Sequence, residues 1–314
     1  MNNNLQRLAF TNVYEFIELI DSVINILQKE RNDGSIIGGK INLGLIELDM
    51  PQNLVIIGDL HGDLQTLQCI LQEIDYECFL SNYNNKLIFL GDYVDRGSDS
   101  IGVLHTICYL KQKYPNSIIL MRGNHEARAE FPFLSYDLPL KIVEYFGENH
   151  EKVIHDRLSS LFQLLYLMTI LQNKLLLVHG GLPTEIKNKD FKKLIETVQP
   201  DHTHTRTLEE LLWNDPRANI PNEKNWENSR RGYGRHFGPN ISKEWLTITR
   251  TKVIVRGHEP CPGFKIDHDD RVLTLFSCKE AYPKFEAAYI FISKKQLELI
   301  HNAKDLVHYV RKLW

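Results

Sequence analysis

Six side chains suited to binding a divalent cation stand at the ends of five apolar runs: NLVIIGDLHGD, KLIFLGDYVDRG, SIILMRGNHE, KLLLVHGG and KVIVRGHE. They are Asp59, His61, Asp92, Asn124, His179 and His258. All offer oxygen or nitrogen, and no cysteine is among them. A run of leucine and β-branched residues that stops at Gly, Asp, Asn or His reads as a buried strand delivering polar groups to one sheet edge. Parallel strands bring their carboxyl ends to one rim, where open α/β sheets place their ligands.

Asp59 and His61 are two residues apart, so an extended backbone points both the same way, and one ion can take both. Gly58 and Gly62 remove side chains where backbone and metal must approach closely. Asp92 has two oxygens with which to bridge two ions, and Asn124, His179 and His258 complete the second shell. Two such ions roughly 3.5–4 Å apart can hold a bridging hydroxide, the expected nucleophile. Two carboxylates do not neutralise two divalent ions, so the pocket is expected to attract phosphate although the formal net charge of the chain is -3. Arg96 offers paired donors to phosphate oxygens. His125 is placed to protonate a leaving alkoxide, with Asp95 as its carboxylate partner; the alternative for Asp95 is a structural pairing with an arginine.

The elements that position these residues are legible. Val13, Phe16, Ile17, Ile20, Ile24 and Leu27 repeat at helical spacing, with Asn12 and Glu15 as a cap and its partner. The stretch 32–39 reads as a hinge or exposed loop. Asp63 caps a helix carrying Leu64, Leu67, Leu71 and Ile74, the strand 86–90 follows, then a helix over 100–113 and the strand 117–120. That β-α-β-α-β order implies parallel strands with right-handed crossovers. Residues 161–178 read as a buried helix followed by a strand, 201–240 as long loops over the rim, 272–276 and 287–292 as strands, and Leu306, Val307, Val310 and Leu313 as a closing helix. His105 falls on the polar side of its helix, and Cys69 and Cys108 on core faces. His202 and His204 read as solvated loop residues, His236 as a rim residue, and Asp267, His268, Asp269 and Asp270 as a hairpin turn.

Composition bounds the function. With 43% hydrophobic and 25% charged residues the chain is an ordinary globular protein. Its 37 basic against 40 acidic residues give no general reason to expect nucleic acid or a membrane as partner. Five scattered cysteines without Cys-x-x-Cys spacing argue against a disulfide framework and for reduced thiols in a cytoplasmic protein. The first ten residues lack the features of a signal peptide.

Taken together, GDLHGD, GDYVDRG, RGNHE, HGGL and RGHE resemble the phosphoprotein phosphatase (PPP) family of serine/threonine protein phosphatases, within the calcineurin-like metallophosphoesterases. LLWNDP at 211–216 and RGYGRHFG at 231–238 are similar to two later family blocks. The resemblance implies an α/β fold with a central pair of mixed β-sheets flanked by helices, an α/β/β/α sandwich. It implies residues 48–296 as the catalytic domain, with residues 1–47 an amphipathic helix and connector packed on it and 297–314 a helical tail. It puts Asp59, His61 and Asp92 on one ion and Asp92, Asn124, His179 and His258 on the other. It makes Arg96 and Arg231 phosphate clamps, His125 the general acid and Asp95 its partner, with Arg217, Arg230 and Arg235 close to Arg231 in sequence. Asn124 and Tyr282 are implied substrate contacts. Where eukaryotic members have Ser-Ala-Pro-Asn-Tyr, this chain has Ser277-Cys278-Lys279-Glu280-Ala281-Tyr282, which separates it from their inhibitor and regulatory-subunit contacts.

The expected activity is hydrolysis of phosphoserine and phosphothreonine in a phosphoprotein or phosphopeptide by direct attack of the bridging hydroxide. Two divalent ions are required: manganese in vitro, with iron or zinc compatible with the same ligands. No nucleic acid or membrane partner is expected, and the sequence names no regulatory subunit. The alternative is a hydrolase of dinucleoside tetraphosphates or other small phosphate esters; a remoter one is an inactive phosphoprotein-binding module.

Overall fold

The computed structural model describes residues 12–186, 190–198, 205–221 and 223–313; His202 and His204 lie outside them. Two mixed sheets form the centre. The first has eight strands in the order 35–36, 39–42, 45–48, 168–171, 175–178, 253–256, 272–275 and 264–267. The second has five, in the order 310–313, 287–293, 53–57, 86–89 and 118–120. Period-two alternation shows how they stack: Leu175 and Leu177 join the core shared with the second sheet, while Leu176 and Val178 face a separate core with the helices Arg206–Trp213 and Pro239–Thr249. Helices therefore cover both outer faces of a sheet pair.

The strands 53–57, 86–89 and 118–120 are mutually parallel, and 253–256 runs parallel to both 175–178 and 272–275. Isolated parallel bridges Asp59–Phe276 and Met121–Tyr166 join the two sheets just past the ends of the parallel strands. That junction is where the polar residues of all five apolar runs emerge.

Several expectations are corrected by tertiary packing. The stretch 32–39 is no hinge: Gly34 closes the first helix in the left-handed region and the chain enters a hairpin that extends the larger sheet. Residues 161–178 contain a second strand, because Gln172, Asn173 and Lys174 form a tight turn with Asn173 at φ 59°. Within 201–240 there are a helix, Arg206–Trp213, and a three-stranded sheet of 226–228, 235–237 and 215–216. Leu306 and Val307 end a short helix, but Val310–Leu313 is an edge strand paired antiparallel with 287–290. His105 is buried, since the first helix packs over the outer side of its helix and brings Phe16 to the imidazole. Cys69 is exposed because Leu67, Ile70 and Leu71 take the core face, whereas Cys108 is buried. The 267–270 turn does join two antiparallel strands.

The first helix, Val13–Asp33, capped by Asn12 accepting from the Glu15 N–H, is pinned by a buried polar knot. Glu30 receives Lys111 Nζ at 2.6 Å and the Tyr166 hydroxyl at 2.8 Å, while Arg31 donates to the carbonyls of Leu43 and Leu164. Removing one member strands a buried charge, so Glu30→Ala is expected to cost about 3–5 kcal/mol in urea unfolding. A loss below about 1 kcal/mol would mean that the knot contributes nothing beyond a surface pair.

Candidate metal centre

Each sequence-identified ligand lies at the sheet junction and is buried. Asp59 follows strand 53–57, Asp92 follows 86–89, Asn124 follows 118–120, His179 follows 175–178 and His258 follows 253–256. His61, Asp92 and His125 have ligand atoms within 4.8 Å of one another, as do Asp92, His179 and His258. Asp92 thus belongs to both groups. Asp59 stands beside the first, its Oδ2 3.8 Å from His61 Nε2. Asn124 Oδ1 contacts His179 Nε2 at 3.1 Å and His258 Nδ1 at 2.7 Å.

The local backbone is not extended as expected. His61, Asp92, Asp95, Arg96 and His258 all have left-handed φ, between 45° and 74°. Such a conformation costs a non-glycine residue about 1–3 kcal/mol and persists where surrounding structure over-determines it. A turn at His61, not a flat strand, brings its ring beside Asp59. Gly58 serves the sheets, because a Cβ there would lie 2.3 Å from the Leu275 carbonyl oxygen, and Gly62 supplies a φ of +69°. The glycines that make room for the carboxylates are Gly123 and Gly257, where a Cβ would lie 2.2 Å from Asp92 Oδ1 and Asp59 Oδ1 respectively.

Neighbouring groups fix each donor. His61 Nδ1 is 3.1 Å from the Val94 carbonyl and His179 Nδ1 is 3.0 Å from that of Leu90. Both contacts place the proton on Nδ1 and leave Nε2 as the donor atom. Burial, with Arg96 and His125 nearby, keeps His61 well below its ordinary pKa and hence neutral. Burial and the neighbouring Asp92 push Asp59 up to about 6. Burial acts to raise Asp92 too, but the neighbouring His179 and His125 outweigh it and hold that carboxyl well below the usual range.

His125 begins a short 3-10 turn, and its Nδ1 lies 2.5 Å from Asp95 Oδ2. Asp95 Oδ1 accepts from the N–H groups of Asp137 and Leu138, at 2.9 and 3.2 Å, which fixes the carboxylate. Arg96 reaches His61 Nε2 at 3.1 Å and His125 Nε2 at 2.9 Å, and it also donates to the Tyr282 hydroxyl. The divergent 277–282 loop therefore still brings its tyrosine to the site. Asp63 helps anchor it by accepting from the Lys279 and Glu280 N–H groups, both at 2.8 Å.

Arg231 reaches the ligands only indirectly. Its Nε donates to Asp215 Oδ2 at 2.9 Å, and Asp215 Oδ1 is 3.9 Å from His258 Nε2. Arg217 lies beside it, but Arg235 is directed away to Thr184 and Glu210, and His236 pairs with Glu227 in the small sheet. Sequence reasoning missed Asp215, fully buried Arg256 and Glu126. Arg256 donates to Asp215 at 3.0 Å, and Glu126 accepts from the N–H groups of Asp92, Tyr93 and Gly123. Their signal was faint: Asp215 and Glu126 sit inside recognisable blocks, but nothing local assigns their partners.

Asp59 Oδ2 is buried and has no hydrogen-bond partner, an arrangement that leaves a carboxylate oxygen for a cation. With imidazole nitrogens, an amide oxygen and two carboxylates around it, the donor set fits divalent metal. A family model for calcineurin-like phosphoesterase matches residues 53–262, a span that includes all six candidate ligands. The chain belongs to the calcineurin-like phosphoesterase family. That family implies divalent metal ions. Among similar proteins, serine/threonine-protein phosphatase rdgC of Drosophila melanogaster is 28% identical over 261 residues, covering 77% of this chain and 37% of that protein. Serine/threonine-protein phosphatase with EF-hands 1 of Homo sapiens is 31% identical over 287 residues, covering 77% and 42%. The chain thus spans well under half the length of these relatives. A structure of a protein serine/threonine phosphatase from Saccharomyces cerevisiae, described as similar to human phosphatase PP5, shares the fold of this chain: TM-score 0.70, 23% identity, 89% of this chain and 82% of that one. Among the described residues no helix is long and apolar enough to cross a membrane.

Proposed function

We propose that the chain is a metal-dependent serine/threonine protein phosphatase whose chemistry is carried by residues 48–296. The observation that carries this reading is the meeting, at one sheet junction, of the shared carboxylate Asp92, the His125–Asp95 pair and the exposed guanidinium of Arg96. Relatives named as serine/threonine-protein phosphatases support the substrate class. Asp59, His61 and Asp92 would hold one ion, and Asp92, Asn124, His179 and His258 the other. Asp59 is preferred to His125 in the first set because its buried Oδ2 has no hydrogen-bond partner. When bound, the ions supply the acidity that makes an attacking water available near neutral pH and offset charge on the phosphoryl group.

The protein's own groups do the rest. Arg96 and Arg231 clamp the phosphoryl oxygens, with Asn124 and Tyr282 bordering the same space. Asp95 orients the His125 ring, so that an Nε2 proton can pass to the departing serine or threonine oxygen. Manganese is the activating ion expected in vitro, and five cysteines without a disulfide suit a reducing cytoplasm. The test is phosphate release from a phosphoserine peptide by purified protein with manganese, compared with diadenosine tetraphosphate. Chelation is expected to abolish release. Faster turnover of the dinucleotide, or metal-independent activity, rejects the assignment.

A further inference from the structure

Three arginines converge on one buried aspartate at the edge of the site. Arg256 and Asp215 are both fully buried and pair at 3.0 Å. Arg231 Nε and Arg217 Nη2 approach the other oxygen of Asp215, at 2.9 and 3.6 Å, which sets two guanidinium groups side by side. Each of these two side chains is 33% exposed. Glu259 serves Arg256 at 3.1 Å and Arg217 at 2.8 Å. Three guanidinium charges against two carboxylates leave the group positive, and because Arg256 is buried, that excess faces solvent through Arg217 and Arg231. Lys265, which also approaches Glu259, has its own partner in Asp267 at 3.1 Å.

Arg217 is tethered without being used up. Its Nη1 is held by Glu259 and by the Pro216 carbonyl at 2.7 Å, while Nη2 stands outside hydrogen-bond range of Asp215. A guanidinium has five N–H donors, so several remain for a ligand. We propose that Arg217 is a specificity-determining residue that reads an acidic side chain next to the phosphoresidue held by Arg231. In an extended peptide successive residues advance about 3.3 Å, so the side chain read is one or two positions from the phosphoresidue.

This inference rests on the phosphatase reading, and its test separates the two. A phosphoserine peptide flanked on both sides by glutamate is compared with its glutamine counterpart, using intact protein with manganese at low salt. Phosphate release from the glutamine peptide tests the phosphatase reading alone. The ratio of kcat/KM values tests Arg217: a preference of about two- to fivefold for glutamate is expected, as for a partly exposed ion pair. Arg217→Ala should remove the preference while leaving kcat/KM on the glutamine peptide within about twofold, and Arg217→Lys, which keeps the charge, should retain part of it. A merely structural role would change both peptides equally. Equal wild-type values for the two peptides, or an undiminished ratio in Arg217→Ala, overturns the proposal.

Discussion

Asp92→Asn is expected to lower phosphate release on the order of a thousandfold or more, the largest effect of any single substitution in this protein. Asp92 alone belongs to both ligand groups, with Oδ2 3.6 Å from His61 Nε2 and Oδ1 3.3 Å from His179 Nε2. Its Oδ1 also accepts the His125 N–H at 3.0 Å, so it sets the start of the turn that carries the proposed acid. Asparagine keeps the shape and tolerates the φ of 55° found here, so the fold should survive. It removes a full negative charge and replaces one oxygen with a donor. Manganese titration by calorimetry should therefore show weakened binding, while the thermal midpoint moves little. Near-normal turnover with unchanged metal affinity would exclude Asp92 as a shared metal ligand.

His125→Ala should reduce kcat on a phosphoserine peptide by about 10²–10⁴. The loss should depend on the leaving group. An alkoxide from serine needs a proton, whereas a nitrophenolate does not, so the same variant should keep much of its activity on an aryl phosphate. Asp95→Asn should act in the same direction but less strongly, since the amide can still accept from the Asp137 and Leu138 N–H groups while losing the charge that steadies a protonated imidazole. Equal losses on both substrates would recast His125 as a residue that positions Arg96, whose Nη2 it meets at 2.9 Å.

The sequence made the centre unusually legible because each candidate ligand follows a strongly apolar strand, a pattern set by local burial. The same logic gave the parallel order of 53–57, 86–89 and 118–120, and the Asn12 and Asp63 caps. It failed where partners are distant in the chain. Residues 310–313 look helical by spacing, yet pairing with 287–290 supplies backbone hydrogen bonds that an isolated tail would lack. His105 looks solvent-facing by helical spacing, but the helix Val13–Asp33, distant in sequence and adjacent in space, covers it through Phe16.

By itself, then, the sequence singled out the side chains proposed to carry the chemistry and the order in which strands present them, since strand burial and cap chemistry are written within a few residues. Tertiary structure decided how two separate sheets meet, which turns hold His61 and Asp92 in left-handed conformations, and that Asp215 gathers Arg217, Arg231 and Arg256 beside His258. Those outcomes depend on contacts between segments tens to hundreds of residues apart, where packing and buried charge select the partner and local spacing carries no record of it.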